Sequence, residues 1–133
     1  MIEIYTDGAF STSRQMMGWA FIVVIDNQKH FSNYDGIPEG TNNRAEMYAF
    51  LESTIWMKKN NIKEAKIYLD SLYVINSMLG KYSRKKNLDL WKILDDSVEN
   101  LSIDYCHVKG HNGNKWNELC DTLAVAGSHL IIN

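Results

Sequence analysis

A chain of 133 residues, 45% hydrophobic and 23% charged, has the length and balance of one globular domain, able to bury ~68% of the surface its unfolded form exposes. No apolar run approaches the ~20 residues of a membrane span, and the N-terminus lacks the basic-then-apolar layout of a signal peptide; a cytoplasmic protein with no membrane partner is expected. The formal charge of −2 argues mildly against a nucleic-acid binder but does not exclude one, because charge distribution matters more than the sum and a cluster of metal-binding carboxylates would bias it downward.

The stretches "IEIYTDGAF", "WAFIVVID" and "QKHFSNYDG" are rich in β-branched and aromatic residues and predict three strands in an antiparallel meander. In the first, the apolar run stops at Asp7, which Gly8 follows. Pro38, the single proline, lies in the turn-rich "GIPEGTNN" and ends the meander. From Asn42 to about Lys59 the period becomes helical, with Met47, Leu51 and Ile55 recurring every four residues and Thr41 or Asn42 placed as the cap. "AKIYLD" predicts a fourth strand and "SLYVINSML" a helix from near Ser71. "LDLWKILDDSVENL" is amphipathic, with Leu90, Ile93, Leu94 and Val98 on one face. "IDYCHV" is a last strand, "KGHNGNK" a loop, and "WNELCDTLAVAGSHL" a closing helix. Cys106 and Cys120 are too few and too far apart for a zinc motif or a disulfide framework, and read as small buried hydrophobes. No linker or repeat divides the chain, so residues 1–133 are expected to form a single domain.

The order β-β-β-α-β-α-α-β-α predicts an α/β fold: a five-stranded mixed sheet, an antiparallel meander plus parallel strands, with helices on both faces. Ligands in such sheets collect beyond the carboxyl ends of the parallel strands. Four carboxylates sit in different elements among apolar neighbours: Asp7 on the first strand, Glu46 in the first turn of the first long helix, Asp70 at the end of the fourth strand, and Asp121 one turn into the final helix on the side of Asn117. Each has an ordinary reading. Asp7–Gly8 could be a turn, Glu46 a complement to a helix dipole, Asp70 an N-cap and Asp121 a solvated helix charge.

Together, however, the strings "YTDGA", "TNNRAE", "LDSLYVIN" and "HVKGHNGNKWNELCDTLA" resemble type 1 ribonuclease H along nearly the full chain, "TNNRAE" and the "VKGHxGxxxNxxxD" pattern being the most specific. The resemblance implies a ribonuclease H-like fold and a metal-dependent endonuclease that cuts the RNA strand of RNA/DNA hybrids, leaving 5′-phosphate and 3′-hydroxyl ends. It places the catalytic and metal-binding carboxylates at Asp7, Glu46, Asp70 and Asp121. Physical chemistry supports that grouping. Two unit charges 4 Å apart repel by roughly 4 kcal/mol at an effective dielectric of ~20, so four carboxylates in one cleft need cations or protons. Mg²⁺, a hard ion that takes oxygen ligands, fits; two ions are implied, and Mn²⁺ could substitute. By resemblance, Asp7 bridges both ions, Asp121 helps hold the one carrying the attacking water, and Glu46 and Asp70 hold the other. His111, between Gly110 and Gly113, matches a family histidine that assists proton transfer or release of product and metal, a task its ordinary pKa of ~6.5 suits. His30, His107 and His129 have no such context and read as structural.

For substrate recognition, Asn42 and Asn43 carry amides suited to minor-groove edges and 2′-hydroxyls, and Thr41 matches a family position that contacts a DNA phosphate. Thr41 and Asn42 could instead serve only as helix caps. Asn117 is placed to hold the active-site end of the last helix, and Arg44 to order local structure. "GKYSRKKN" is the densest basic run, with Lys81, Arg84, Lys85 and Lys86; Lys85 and Lys86 are the expected phosphate contacts. Three departures from the family stand out. The basic stretch is shorter than in bacterial members, "AFSTSRQMM" lacks the glycines of the family's first hairpin, and Leu72 stands where Gln or Met is common. Met1 almost abuts the first strand, so no added hybrid-binding domain is expected. A monomer acting on RNA/DNA hybrid is expected, with a polymerase or reverse transcriptase as a partner that could supply affinity. A non-catalytic assembly module on the same fold and a DNA-directed nuclease or strand-transfer enzyme are the competing readings.

Overall fold

The structure, a computed structural model, describes residues 1–108 and 114–130. Its elements are β1 (Ile2–Ser11), β2 (Met16–Ile25), β3 (Gln28–Pro38), α1 (Asn42–Lys59), β4 (Glu64–Leu69), α2 (Leu72–Met78), α3 (Leu88–Ser97), β5 (Ser102–His107) and α4 (Lys115–Ser128). The sheet runs β3-β2-β1-β4-β5. β1, β2 and β3 pair antiparallel, while β4 lies parallel to both β1 and β5. This is the expected order and the expected mixed sheet.

The middle of β2 explains why its sequence does not alternate. Trp19, Phe21 and Val23 face the core beneath α1, α2 and α3, whereas Ala20, Ile22 and Val24 face α4. All six are at most 5% exposed, and burying each large one contributes about 1.5–3 kcal/mol. A strand covered on both faces must be apolar throughout. α4 lies close because Gly18 has no side chain: a Cβ there would stand 1.9 Å from the Ala124 carbonyl oxygen.

Some local expectations hold, among them Pro38 at the end of the meander and Thr41 as a cap, and others need correction. Asp7–Gly8 is not a turn, because Gly8–Ser11 continue in register with Met16–Trp19. Pro38 is the last residue of β3, opposite Met16, where an edge strand tolerates a missing N–H. On α3 the buried residues are Leu90, Trp91 and Leu94, and Ile93 is 51% exposed. The indole of Trp91 turns the packing face away from Ile93. Cys120 is fully buried, but Cys106 on β5 is only half-buried. Thr41 is the cap of α1, its Oγ1 accepting from the Arg44 N–H at 3.1 Å. Glu46 is the fifth residue of that helix and stands beyond the first turn. Nor is Asp70 a cap: Ser71 caps α2, its Oγ accepting from the Val74 N–H.

Candidate active site

The site begins where two parallel strands part. β1 pairs with β4 only from Glu3–Tyr5 to Lys66–Tyr68, and the Thr6 hydroxyl donates to the Tyr68 carbonyl at 3.1 Å. Two residues past the last pair on each strand stand Asp7 and Asp70, so the register alone sets them side by side at the carboxyl end of the parallel pair.

Glu46 reaches the same point from α1. The Gly8 N–H donates to Asp7 Oδ1 at 2.9 Å and also to Glu46 Oε1. That second bond depends on the missing side chain: a Cβ on Gly8 would lie 2.4 Å from both the Ala45 carbonyl carbon and the Glu46 nitrogen. As a result, one carboxylate oxygen from each of Asp7, Glu46 and Asp70 lies within 4.8 Å of the others. Asp121 approaches from α4. Its neighbour Cys120 is packed against the sheet, with Sγ 3.5 Å from the Tyr5 carbonyl oxygen and 3.4 Å from that of Ala20. Asp121 stands outside the close trio, yet near enough for its charge to push the Asp7 carboxyl further up.

These groups cannot all be ionised on their own. Burial, and then the charge of Asp70, push the Asp7 carboxyl up to about 7. Burial and the neighbouring Asp70 and Asp7 hold Glu46 well above the usual carboxylate range. Without cations the site keeps protons that isolated carboxyls would release. The close trio offers oxygen alone, the donor set of a hard divalent ion such as Mg²⁺ or Mn²⁺.

The residues expected to meet substrate surround this point unevenly. Thr41, Asn42 and Asn43 are exposed at the start of α1, three to five residues before Glu46. Asn117 is 6% exposed in the first turn of α4, behind the cap Asn114, whose Oδ1 accepts from the Trp116 and Asn117 N–H groups at 2.9 and 3.1 Å. Lys85 and Lys86 are exposed between α2 and α3. Arg84, counted in the same basic run, is turned into the fold. Its guanidinium lies 4.6 Å above the Trp91 ring, donates to the Ser77 carbonyl, and pairs with Asp95 at 2.7 Å. Arg44 orders local structure, as expected, by a two-pronged pairing with Asp89. His111 lies outside the described residues.

Sequence reasoning gave Gly8 and Asn114 no role at the site, took Ser71 only as the start of a helix and read His107 only as structural. Ser71 and Asn114 carried a readable signal, a short polar residue just before a helical period. His107, read as structural without context, has its Nε2 3.1 Å from the Asp70 carbonyl oxygen at the end of the β4–β5 ladder. Nothing in its neighbouring sequence marks that contact.

Comparison with known proteins agrees with the fold and the resemblance. A family model described as RNase H matches residues 1–129. A ribonuclease H of Rhodopirellula baltica is 35% identical over 142 residues, covering 94% of this chain and 89% of the relative. The N-terminal RNase H domain of a Mycobacterium tuberculosis protein superposes with a TM-score of 0.84 at 22% identity, over 96% of this chain and 92% of that one. LC11-RNase H1, solved in complex with RNA/DNA hybrid, superposes with a TM-score of 0.79 at 18% identity, over 95% and 98%.

Proposed function

The chain belongs to the ribonuclease H family, and from that premise we propose that it hydrolyses the RNA strand of RNA/DNA hybrids with the aid of two divalent ions, leaving 5′-phosphate and 3′-hydroxyl ends. One observation carries the reading. Carboxylates from β1, α1 and the β4–α2 junction, distant in sequence, converge within 4.8 Å at the carboxyl end of the parallel strands. A structural role would favour separating such groups, since their mutual repulsion and burial oppose ionisation.

Asp7, Glu46 and Asp70, with Asp121 at the rim, would hold the ions, and Mg²⁺ suits them, with Mn²⁺ as substitute. When bound, such ions make a water more acidic for attack on phosphorus and place positive charge beside the departing oxygen. The chain's own residues supply the rest. Gly8 fixes the trio by orienting Asp7 and Glu46 through its N–H. Asn42 and Asn43 are exposed amides near Glu46, suited to minor-groove edges and to 2′-hydroxyls, the groups that tell RNA from DNA. Thr41 would meet a phosphate, Asn117 would keep the start of α4 aligned with Asp121, and His111 would move a proton or help release product. Lys85 and Lys86 would meet phosphates and add salt-dependent affinity. That basic stretch is short, which supports a polymerase or reverse transcriptase as a source of further hybrid affinity.

The test is direct. Labelled RNA/DNA hybrid, duplex DNA and duplex RNA are each incubated with the protein and Mg²⁺, Mn²⁺ or EDTA. Cleavage confined to the RNA strand of the hybrid, absent in EDTA and in Asp70→Asn, is the expected result. Cleavage of duplex DNA, binding of hybrid without cleavage, or near-normal cutting by Asp70→Asn would overturn the reading.

A further inference from the structure

The segment from Leu79 to Asn87 joins α2 to α3 with few contacts of its own: Lys81, Tyr82, Ser83, Lys85 and Lys86 are all exposed. A loop with so little burial would sample many arrangements unless its ends were tied. The Lys85–Lys86 pair is tied on both sides through an arginine. Upstream, Arg84 is held over Trp91 and against Ser77 and Asp95. Downstream, Asn87 adopts a left-handed backbone, φ 59°, at the cap position of α3 without bonding that helix through its side chain. Instead its Oδ1 accepts from Arg44 Nη1 at 3.1 Å, and its Nδ2 donates to the Tyr73 hydroxyl at 3.0 Å. Arg44 also grips Asp89 with both nitrogens, Nη1 to Oδ1 at 3.2 Å and Nη2 to Oδ2 at 3.1 Å.

Three elements therefore meet at the Asn87 side chain: α1 through Arg44, α2 through Tyr73 and the start of α3. Arg44 directly follows Asn42 and Asn43 on α1, Tyr73 lies three residues after Asp70, and Asn87 directly follows Lys85 and Lys86. We propose that Arg44 is a positioning residue for substrate binding: its guanidinium, locked across Asp89 and Asn87, holds the Lys85–Lys86 stretch in fixed relation to Asn42 and Asn43, so that both grip the same duplex. This rests on the hybrid as substrate and specifies how the binding surface is assembled. The saving is one of ordering, because a pinned loop loses less freedom on binding than a loose one. Lysine cannot replace Arg44, since a single ammonium does not span two acceptors in a fork.

The experiment measures binding of a fluorescent RNA/DNA hybrid in EDTA, alongside KM and kcat in Mg²⁺, for the parent, Arg44→Lys, Asp89→Ala, Lys85→Gln/Lys86→Gln, and the latter pair combined with Arg44→Lys. Arg44→Lys keeps the charge and is expected to weaken binding about five- to ten-fold, to raise KM in step, and to leave kcat within about two-fold. In the Lys85→Gln/Lys86→Gln background the same change should add no more than about two-fold, since the groups it positions are gone. Asp89→Ala separates positioning from simple charge: removing a negative group near phosphates would tighten binding, whereas loss of the lock weakens it. Multiplicative effects in the combined variant, tighter binding by Asp89→Ala, or a fall in kcat with unchanged affinity would overturn the proposal, as would a parent that does not bind hybrid. A parent that binds without cutting sinks the hydrolytic reading alone, because the coupling is read from binding.

Discussion

Gly8 and Glu46 are joined by a hydrogen bond that only a glycine permits, the Gly8 N–H donating to Glu46 Oε1 where a side chain at residue 8 would strike the α1 backbone. Gly8→Ala should therefore push α1 away from β1. The expected cost is about 1–3 kcal/mol of stability, as for other overpacked sites, together with loss of cleavage far beyond what that destabilisation explains. Thermal unfolding and hybrid-cleavage rates measured on the same preparation check it. Near-normal cleavage by the variant would mean that the approach of α1 to β1 is unimportant for the site.

Arg84 and Lys85 are sequence neighbours in opposite surroundings, Arg84 turned into the fold and Lys85 exposed. Arg84→Ala removes a cation–π contact, two hydrogen bonds to the Ser77 carbonyl and a partly exposed pair with Asp95. A loss of about 1–2 kcal/mol in stability is expected, visible as a lower Tm. Lys85→Ala should leave Tm in place and weaken hybrid binding, with a shallower dependence on salt. A stable Arg84→Ala would show that its contacts contribute little.

This contrast marks how far the sequence could be read. Period and turn signals place every element, because hydrophobic spacing and short polar caps act locally. "TNNRAE" and the pattern around Asp121 point to the carboxylates, since those strings carry chemistry as well as structure. What escapes is long-range packing. Nothing in "SRKKN" says that Arg84 folds inward onto an indole seven residues ahead, and nothing in "LWKIL" says that Trp91 displaces Ile93 from the buried face. Gly8 reads as a turn residue until the α1 backbone is seen against it.

Asn114 caps α4 three residues before Asn117 and seven before Asp121, its Oδ1 taking two N–H groups that would otherwise lack intrahelical partners. Asn114→Ala should cost about 0.5–2 kcal/mol and fray the first turn. Because Asp121 lies in the next turn, cleavage should fall and should recover in part at higher Mg²⁺ concentration. Titration of activity against Mg²⁺ for the parent and the variant checks this; an unchanged metal requirement would show that the cap does not set Asp121.

The raised pKa of Asp7 makes metal-free stability depend on pH in a defined direction. In the unfolded chain this carboxyl titrates near 3.8, and in the folded chain near 7. Below pH 4 both states hold the proton and the group contributes nothing. Between 4 and 7 the unfolded chain gives it up while the folded one keeps it, so stability falls as pH rises; above 7 the penalty is complete. Glu46, also raised, adds in the same sense. In EDTA the Tm should decrease from pH 5.5 to 8, with a penalty on the order of a few kcal/mol for so large a shift. Asp7→Asn should flatten that slope and be more stable than the parent at pH 8 while losing cleavage. Mg²⁺ should raise the Tm of the parent more at pH 8 than at pH 6, since at the lower pH protons compete for the same oxygens. Equal slopes for parent and variant in EDTA would mean that Asp7 is ionised without cations, and that repulsion among these carboxylates is relieved in some other way.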